Sequence, residues 1–584
     1  MINYKKQFIY FILSAIILYS CSGKRNNIQS TELNIHLPYD PDMLNPVCYT
    51  TIESSNVLRN IFQGLIDVDY NSHELVPVLA EKFPKIEKTS EGYLKYHYRL
   101  RPEARWENGS PITARDVEFT IKAIKVPQVN DPQERPIYEH LADFIYDEKD
   151  PLQFTIVFDN AYILSEIHSG DYPIMPEYFY DPKGLLRNYT IKQLNSEKEK
   201  IENDSRIKAF ADDFNSEKRM REKGFISGSG PYAFEEWVTG QKVVLIKKKN
   251  WWGDQLKEIN MFFQANPEKI NYRIINDMTT ALTSLKAGNL DVMQNIKPKD
   301  FSELTHSQKI NQSYNVYTPS TYSYSYLGLN SKRFFFAEKK TRQAMAHLLD
   351  INKLIETIMY GYAKPVIGPI MPSETKIYNS SIKPFAYDID VAKQLLAEAG
   401  WKDSDADGLL DKVDNNKKTH FIVDFVYPSG NEPKKQIGLL LQEEARKVGI
   451  RINVIAQELS VLIENCKKHN FDMVCGGVAS VPILPDLKAF YHSQSALNRG
   501  SNFCSFGTPE SDSLIDSIRL ELNETKRNDM YKKLQEIMHD DATYIFLFNL
   551  TDRIAIHKRF TNLNLSNIRP GYYEAGFKIT ESTD

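Results

Sequence analysis

The sequence predicts an α/β fold in two halves, because strand, helix and strand patterns follow one another in two separate parts of the chain. In the first part, residues 270–275 are strand-like, residues 279–287 are helical up to Gly288, and residues 290–293 return to an apolar strand. From Leu33 onward the chain alternates in this way without repeats or long disordered runs. A mostly parallel sheet covered by helices is therefore expected in each half.

The second strand–helix–strand unit lies between residues 421 and 454. Residues 421–427 are apolar and extended, and Pro433 suits the first turn of the helix that follows. One face of that helix carries the apolar residues Ile437, Leu440, Leu441, Ala445 and Val448. Gly449 ends the helix, and residues 450–454 alternate as a half-buried strand.

The N-terminus predicts an exported lipoprotein. Lys5 and Lys6 precede an apolar run of eleven residues at 8–18, which is typical of a signal peptide and shorter than the about 20 residues of a membrane span. The run ends in Leu18-Tyr19-Ser20-Cys21, which resembles the lipobox of bacterial lipoproteins. We therefore expect a signal peptide at 1–20, a lipid on Cys21 and a polar tether at 21–30. An ordinary signal peptide followed by an unrelated cysteine is the alternative.

The composition is that of an ordinary globular protein, with 42% hydrophobic and 25% charged residues. A net charge of −4 gives no electrostatic basis for binding nucleic acid. No later apolar stretch is long enough to span a bilayer, so the lipid is the only expected membrane contact. Four further cysteines allow three disulfide pairings in an exported chain, and the sequence leaves these open: Cys48, Cys466, Cys475 and Cys504.

Signatures of catalysis are missing from the sequence. There is no Gly-x-Ser-x-Gly elbow, no His-Glu-x-x-His and no Walker loop. The stretch from Gly228 to Ala233 formally fits a dinucleotide fingerprint, but Pro231 and the strand-like residues after it contradict the helix that such a fingerprint opens. We therefore expect a binding protein that is not an enzyme and that requires no cofactor.

One segment has the spacing of a calcium loop. Gly408 lies at the sixth position, where such a loop turns sharply, and a carbonyl is expected at the seventh. The candidate ligands are Asp403, Asp405, Asp407, Leu409, Asp411 and Asp414. A structural calcium ion and an aspartate-rich polar turn are both compatible with this pattern.

Short motifs in a fixed order provide a family resemblance. They are Val76-Pro-Val-Leu79-Ala80, Tyr98-Arg99-Leu100-Arg101, Trp106-Glu-Asn-Gly109, Gly228-Ser-Gly230-Pro231-Tyr232, Leu285-Lys-Ala-Gly288, Thr341-Arg342-Gln343-Ala344 and Ala399-Gly400-Trp401. The ordered set resembles the family 5 extracellular solute-binding proteins, the oligopeptide- and dipeptide-binding components of ABC transporters. The resemblance extends from about Leu33 to the C-terminus.

The resemblance implies the type II periplasmic-binding-protein fold, with two α/β lobes and an extra subdomain in the first lobe. The implied boundaries are 31–276 plus 546–584 for lobe I, about 48–185 for the extra subdomain, and 277–545 for lobe II. The chain would cross between the lobes near 275–277 and 543–546, in extended segments that can act as hinges. A ligand that contacts both lobes favours their closed arrangement.

The same resemblance identifies the positions that would hold a peptide's charged ends. The aspartate that peptide-binding members place on the α-ammonium falls near Val481, and the arginine that dipeptide binders place on the carboxylate falls near Asn431, just after Tyr427. Asp486 or Glu432 could substitute for a missing binding residue if the loop that carries it is shifted. An unpartnered buried charge costs several kcal/mol, so free dipeptides are expected to bind poorly.

Three alternating tyrosines complete the set of candidate ligand contacts. Tyr322, Tyr324 and Tyr326 would project from one face of a strand. Their rings could hold a ligand in the cleft, or they could pack in the core of the second lobe.

The resulting functional hypothesis is a lipid-anchored receptor that captures a short peptide and delivers it to an ABC-transporter permease. A non-peptide solute remains open because a fold does not fix its ligand. A sensor or scaffold lipoprotein without a transporter is the alternative from another class, and a hydrolase on a two-lobed scaffold is disfavoured by the missing nucleophile motif.

Overall fold

The computed structural model describes residues 31–131, 134–414, 417–479, 484–497 and 500–580. The predicted signal peptide, the predicted lipid site Cys21, the tether and Val481 lie outside these ranges. Within them, the chain forms two principal sheets with helices packed on them.

The strands are, in chain order, β1 (Glu32–Leu37), β2 (Ile66–Val68), β3 (Leu75–Pro77), β4 (Lys85–Lys88), β5 (Leu94–Arg99), β6 (Leu141–Tyr146), β7 (Gln153–Phe158), β8 (Tyr232–Val238), β9 (Lys242–Lys247), β10 (Lys269–Ile274), β11 (Val292–Met293), β12 (Tyr314–Tyr317), β13 (Ser320–Leu329), β14 (Ala363–Pro365), β15 (Asp411–Asp414), β16 (Lys417–His420), β17 (Ile422–Pro428), β18 (Arg451–Gln457), β19 (Met473–Ala479), β20 (Tyr544–Thr551), β21 (Ile554–His557), β22 (Phe560–Thr561) and β23 (Lys578–Ile579).

The α-helices are α1 (Ile52–Leu58), α2 (Ala114–Lys125), α3 (Glu134–Ile137), α4 (Ser165–His168), α5 (Glu177–Tyr180), α6 (Ile191–Ser196), α7 (Lys198–Glu202), α8 (Ser205–Phe214), α9 (Glu217–Arg221), α10 (Met278–Lys286), α11 (Pro298–Thr305), α12 (Gln308–Ser313), α13 (Lys339–His347), α14 (Ile351–Thr357), α15 (Ile389–Glu398), α16 (Glu432–Arg446), α17 (Leu459–Lys467), α18 (Lys488–Tyr491), α19 (Pro509–Leu520) and α20 (Glu524–Asp541).

The two principal sheets define the two lobes. The first has seven strands in the order β12-β21-β11-β1-β10-β9-β8, and the second has six in the order β14-β20-β13-β19-β17-β18. Each sheet has its own buried apolar residues, such as Ile35 and Ile270 in the first and Phe425 and Leu327 in the second. The predicted α/β fold with two lobes is confirmed. The expectation of mostly parallel sheets is wrong, because β1 is parallel only to β10 and β11, β17 is parallel only to β18 and β19, and all the other neighbouring pairs in the two sheets are antiparallel.

Both predicted strand–helix–strand units are present. Strands β10 and β11 flank α10 in the chain, and each pairs in parallel with β1 in the first sheet. Strands β17 and β18 flank α16 and pair directly with each other in parallel, from Ile422↔Arg451 to Pro428↔Gln457. In α16, Pro433 lies in the first turn and Ile437, Leu441 and Ala445 are buried, as the apolar periodicity predicts.

The chain crosses between the lobes later than the sequence predicts. Strands β11, β12 and β21 belong to the first sheet, whereas β20 belongs to the second. The crossings are therefore at 318–319, between β12 and β13, and at 552–553, between β20 and β21. The predicted crossings at 275–277 and 543–546 are wrong, because short strands after α10 pair with the first sheet.

The first lobe carries an additional antiparallel sheet in the order β4-β5-β7-β6. Its strands lie between residues 85 and 158, inside the range of about 48–185 proposed for the extra subdomain. Tyr96, Phe154 and Phe158 of this sheet are buried in the same apolar cluster as the core of the seven-stranded sheet. The subdomain is thus continuous with the first lobe.

Candidate ligand-binding cleft between the lobes

The two lobes meet near the crossings through Tyr322 of β13. Its hydroxyl lies 3.4 Å from Nδ1 of His73, which belongs to the turn between β2 and β3 of the first lobe. The two rings are edge to face, with centroids 6.1 Å apart. Nε2 of His73 in turn lies 3.4 Å from the hydroxyl of Ser566. Tyr322 is therefore a second-lobe residue in direct contact with the first lobe.

A carboxyl group of the second lobe borders Tyr322. Glu374 accepts a hydrogen bond from the backbone N–H of Met371 at 3.1 Å. Burial raises the pKa of Glu374 to about 7, and the backbone hydrogen bond only partly opposes the shift. This carboxylate also raises the pKa of Tyr322, after the larger effect of burial on that phenol. Glu374 is thus a titratable group at the boundary between the lobes.

Asp552 lies at the second crossing. Its Oδ1 accepts hydrogen bonds from the backbone N–H groups of Asn295, at 3.1 Å, and Arg553, at 2.8 Å. Its Oδ2 is buried and has no hydrogen-bond partner among the described residues. Burial raises the pKa of this carboxyl group, while the nearby guanidinium groups of Arg569 and Arg553 oppose the rise. Asp552 thereby connects the second crossing to the residues that follow β11 through a hydrogen bond.

A second contact between the lobes involves Asp486, which was predicted as a substitute for the ammonium-binding aspartate. The Tyr162 hydroxyl of the first lobe donates to Asp486 Oδ2 at 2.5 Å, and Arg519 Nε donates to the same oxygen at 2.9 Å. The N–H of Ile163 also donates to the carbonyl of Arg519 at 2.9 Å. Asp486 therefore joins the lobes in this arrangement, with one oxygen already shared by two donors.

The three alternating tyrosines have different surroundings. They lie on β13 as predicted, and all three are buried: Tyr322, Tyr324 and Tyr326 are 6%, 3% and 5% exposed. The hydroxyls of Tyr324 and Tyr491 are 2.5 Å apart, and the Tyr326 ring packs edge to face on Tyr544 at 5.1 Å. Tyr322 differs from the other two in its hydrogen-bond distance and ring contact with His73 of the first lobe.

The candidates near the predicted carboxylate-binding position have structural contacts. Tyr427 is buried at the end of β17, within the core of the second lobe. Asn431 caps α16, because its side-chain oxygen accepts a hydrogen bond from the N–H of Lys434 at 3.1 Å. Neither residue offers a positive charge to a peptide carboxylate.

The predicted calcium loop brings several carboxylates together. Oxygens of Asp403, Asp405 and Asp411 lie within 4.8 Å of one another, and a second group consists of Asp405, Asp407 and His420. Asp403 also accepts hydrogen bonds from the N–H groups of Asp407 and Gly408, at 3.2 and 3.0 Å.

The rest of that loop differs from a helix–loop–helix calcium site. Asp407 accepts from the N–H of Leu409 at 2.9 Å, and Asp411 and Asp414 begin and end strand β15. The loop thus leads into the β15–β16 hairpin. From β16, the Lys418 ammonium pairs with Asp405 and lies 3.3 Å from Asp411. A calcium ion would have to compete with this ammonium group.

The four cysteines of the described residues are free thiols and all are buried: Cys48, Cys466, Cys475 and Cys504. Burial raises their pKa values, to about 11 for Cys475 and about 12 for Cys48. None of the three disulfide pairings left open by the sequence is formed. These thiols behave as small apolar core residues.

Sequence reasoning missed five residues at the boundary between the lobes: His73, Tyr162, Glu374, Arg519 and Asp552. Two of them contact residues far away along the chain: His73 and Tyr322 are 249 residues apart, and Tyr162 and Asp486 are 324 apart. None lies in a motif that local spacing could have identified.

Comparison with known proteins identifies the family. Residues 74–500 match the family model described as bacterial extracellular solute-binding proteins, family 5 Middle. The chain belongs to this family, and it is a binding protein and not an enzyme. Within the described residues, no helix combines the length and apolarity that a membrane span requires.

Individual relatives resemble the chain along most of its length. The oligopeptide-binding protein AppA of Bacillus subtilis is 25% identical over 570 residues, covering 93% of this chain and 92% of AppA. The structure of AppA in complex with a nonapeptide has a TM-score of 0.69 at 23% identity, covering 94% of this chain and 99% of that one. The nickel-binding periplasmic protein of Escherichia coli is 22% identical over 523 residues, covering 88% of each chain.

Proposed function

We propose that this protein is a lipid-anchored receptor that captures a peptide between its lobes and delivers it to an ABC-transporter permease. The similarity to an oligopeptide-binding protein along more than nine-tenths of both chains carries the proposal. The contacts between the lobes support it, because a second-lobe residue, Tyr322, lies against a first-lobe residue, His73. A ligand that contacts both sides would favour closure.

The contacts of the candidate end-binding residues favour peptides longer than two residues. Asp486 is shared between Tyr162 and Arg519, and Asn431 caps a helix. Binding the two charged ends of a dipeptide would require these contacts to be replaced, and a buried charge without a partner is costly. A longer peptide can be held along its backbone, which needs no charged partner.

Calorimetry tests this proposal. A mixed dipeptide pool is expected to give no heat with the mature protein, whereas a pool of longer or terminally blocked peptides binds. Tyr322→Ala should weaken that binding by about 10-fold or more through lost ring contacts, and Tyr322→Phe should retain most of it. Micromolar binding of ordinary dipeptides, or equal affinity of both variants, would refute the assignment.

A metal complex is the second candidate ligand, because the relatives include a nickel-binding protein. Heat on adding a nickel–histidine complex, with none from any peptide pool, would select this candidate.

Uptake of the ligand by cells with and without the chain distinguishes a transport receptor from a sensor or scaffold lipoprotein. Loss of uptake on deletion is the result expected for a receptor.

Cys21→Ser is expected to move the protein from the membrane fraction to the soluble fraction. Two acyl chains give nearly permanent attachment, whereas a single chain binds a membrane only marginally. Fractionation and immunoblotting measure the change, with Cys48→Ser as the control because Cys48 is a buried core thiol. A Cys21→Ser protein that is processed normally and still sediments with membranes rules out the lipid anchor.

We also propose that the loop at 403–414 binds a structural calcium ion. Calcium should raise the melting temperature, by about 2–4 °C for each kcal/mol of binding free energy. Asp405→Ala should abolish the shift, whereas Lys418→Met should enlarge it because the competing ammonium is gone. Identical melting curves in millimolar calcium and in chelator would leave this segment as a polar turn.

A further inference from the structure

A cavity of about 710 Å³ lies in the first lobe at the end remote from the cleft. Its walls are the loop at 103–109, the turn at Ser229 and the segment at 248–255. We call it the tryptophan cavity, because Trp106, Trp251 and Trp252, three of the chain's five tryptophans, line it. Its volume is in the range of small-molecule binding sites, about 300–1,000 Å³.

Strand register fixes the position of the tryptophan cavity. Lys269 at the start of β10 pairs with Glu32 at the start of β1 and with Ile246 near the end of β9. The segment at 248–255 therefore follows the end of β9, at the edge of the sheet where the parallel strands β1 and β10 begin. Thr31 lies at this edge too, since its carbonyl accepts a hydrogen bond from the backbone N–H of Glu268 at 3.1 Å. The crossings between the lobes lie beyond the opposite edge.

Two of the three indole rings that line the tryptophan cavity have their N–H groups already bonded within the protein. The Nε1–H groups of Trp251 and Trp252 both donate to the carbonyl of Ser229, at 2.7 and 2.9 Å. Trp251 is buried, and Trp252 is partly exposed and packs edge to face on Phe263 with centroids 5.5 Å apart. A fixed ring with its donor already used attracts groups that carry partial positive charge, such as polarised C–H bonds.

A buried hydroxyl in the cavity wall has no partner. Ser229 is 1% exposed, and its Oγ has no hydrogen-bond partner within the described part of the chain. Buried hydroxyl groups are nearly always hydrogen-bonded. Ser229 therefore has an unused donor and an unused acceptor in the same residue whose carbonyl binds the two indole N–H groups, and rotation of its side chain toward the cavity would present both to a ligand hydroxyl.

The charged residues of the cavity are mixed in sign. One wall carries Glu103 and Arg105, and the other carries Lys249 and Asp254. The remaining cation, Lys248, is already paired with Glu107 at 2.8 Å. Each wall thus has donors and acceptors side by side without a net field. This arrangement disfavours anions and polycations and suits a neutral ligand with many hydroxyl groups.

We propose that the tryptophan cavity binds a pyranose sugar. The C–H face of the ring would lie against Trp252, while its hydroxyl groups bond with Ser229 and the mixed charges of the two walls. The sugar could be a free oligosaccharide or part of an insoluble glycan. This site is separate from the boundary between the lobes, because the residues that line it all belong to the first lobe.

Tryptophan fluorescence and calorimetry with chitotriose and maltotriose test the proposal on the mature protein. At least one of the two is expected to bind with millimolar affinity or better. Trp252→Ala should weaken binding at least about 10-fold, because the stacking surface is lost. Ser229→Ala should weaken it by about 2- to 10-fold and leave the melting temperature unchanged, since the removed hydroxyl has no partner.

The controls separate this site from the rest of the molecule. Trp237→Phe alters a tryptophan outside the cavity and should bind the sugar as the unchanged protein does. Sedimentation with insoluble chitin distinguishes a glycan-binding role from capture of free oligosaccharides. If neither sugar binds at millimolar concentration, or if binding survives in both Trp252→Ala and Ser229→Ala, the proposal is overturned.

Discussion

Glu574→Ala is expected to lower the free energy of unfolding of the first lobe by about 3–5 kcal/mol, the range for breaking a buried ion pair. The Glu574 side chain is fully buried and accepts hydrogen bonds from Arg59, from Asn60 Nδ2 at 2.8 Å and from the Tyr272 hydroxyl at 2.6 Å. Burial would lower the pKa of Arg59, but the Glu574 carboxylate, helped by nearby tyrosines, raises it overall. Truncating Glu574 would leave this guanidinium without its counter-ion.

Urea unfolding followed by tryptophan fluorescence measures the effect, because four of the five tryptophans precede the first crossing and report on the first lobe. Glu574→Gln retains the shape without the charge, so a smaller loss is expected. A combined Arg59→Met and Glu574→Met variant should lose less than the sum of the two single changes, since no unpaired charge remains. A loss below about 1 kcal/mol for Glu574→Ala contradicts the role given to this pair.

Glu374 is expected to make stability depend on pH between about 4.5 and 7. Burial raises its pKa in the folded protein to about 7, from an ordinary value of 4.5, so the folded state holds the proton more tightly than the unfolded state. The contribution is fully present below pH 4.5 and is lost as the pH rises through 7. The shift corresponds to a loss of up to about 3 kcal/mol.

The measurement is the urea midpoint at several pH values for the unchanged protein and for Glu374→Gln. The amide stays neutral, so this variant should lose part of the decline in stability between pH 4.5 and 7. Asp67→Asn is the matched control, because burial raises the pKa of Asp67 to about 7 as well. This variant should remove a separate part of the dependence of stability on pH. An unchanged slope in Glu374→Gln would falsify the assignment.

Elements with a strong local pattern were predictable from the sequence. The helix α16 and its flanking strands were identified because the apolar spacing, a proline in the first turn and a terminal glycine all agree. The crossings were misplaced because a local pattern does not determine which sheet a strand joins. Strand β11 has only two residues, and β12 reaches the first sheet by pairing with β21, more than 230 residues later in the chain.

The candidate site was predictable only in part, for a related reason. Alternation placed the three tyrosines on one face of β13, but the covering residues Tyr491 and Tyr544 come from distant helix and strand segments. Asp486 was selected for its charge, while its partners Tyr162 and Arg519 could not be identified without the fold. Long-range packing, which no single motif encodes, determined which candidates reach the cleft.

The position of β21 has a consequence for the order in which the lobes form. The second sheet is built entirely from residues 320–551, so its strands are contiguous in the chain. The first sheet contains β1, yet β21 lies between β12 and β11 and supplies the pairing that joins them. During synthesis, which starts at the N-terminus, the first lobe therefore begins before the second lobe but is completed after it. Until residues 554–557 arrive, β11 and β12 expose unpaired edges, which are prone to pair with other chains.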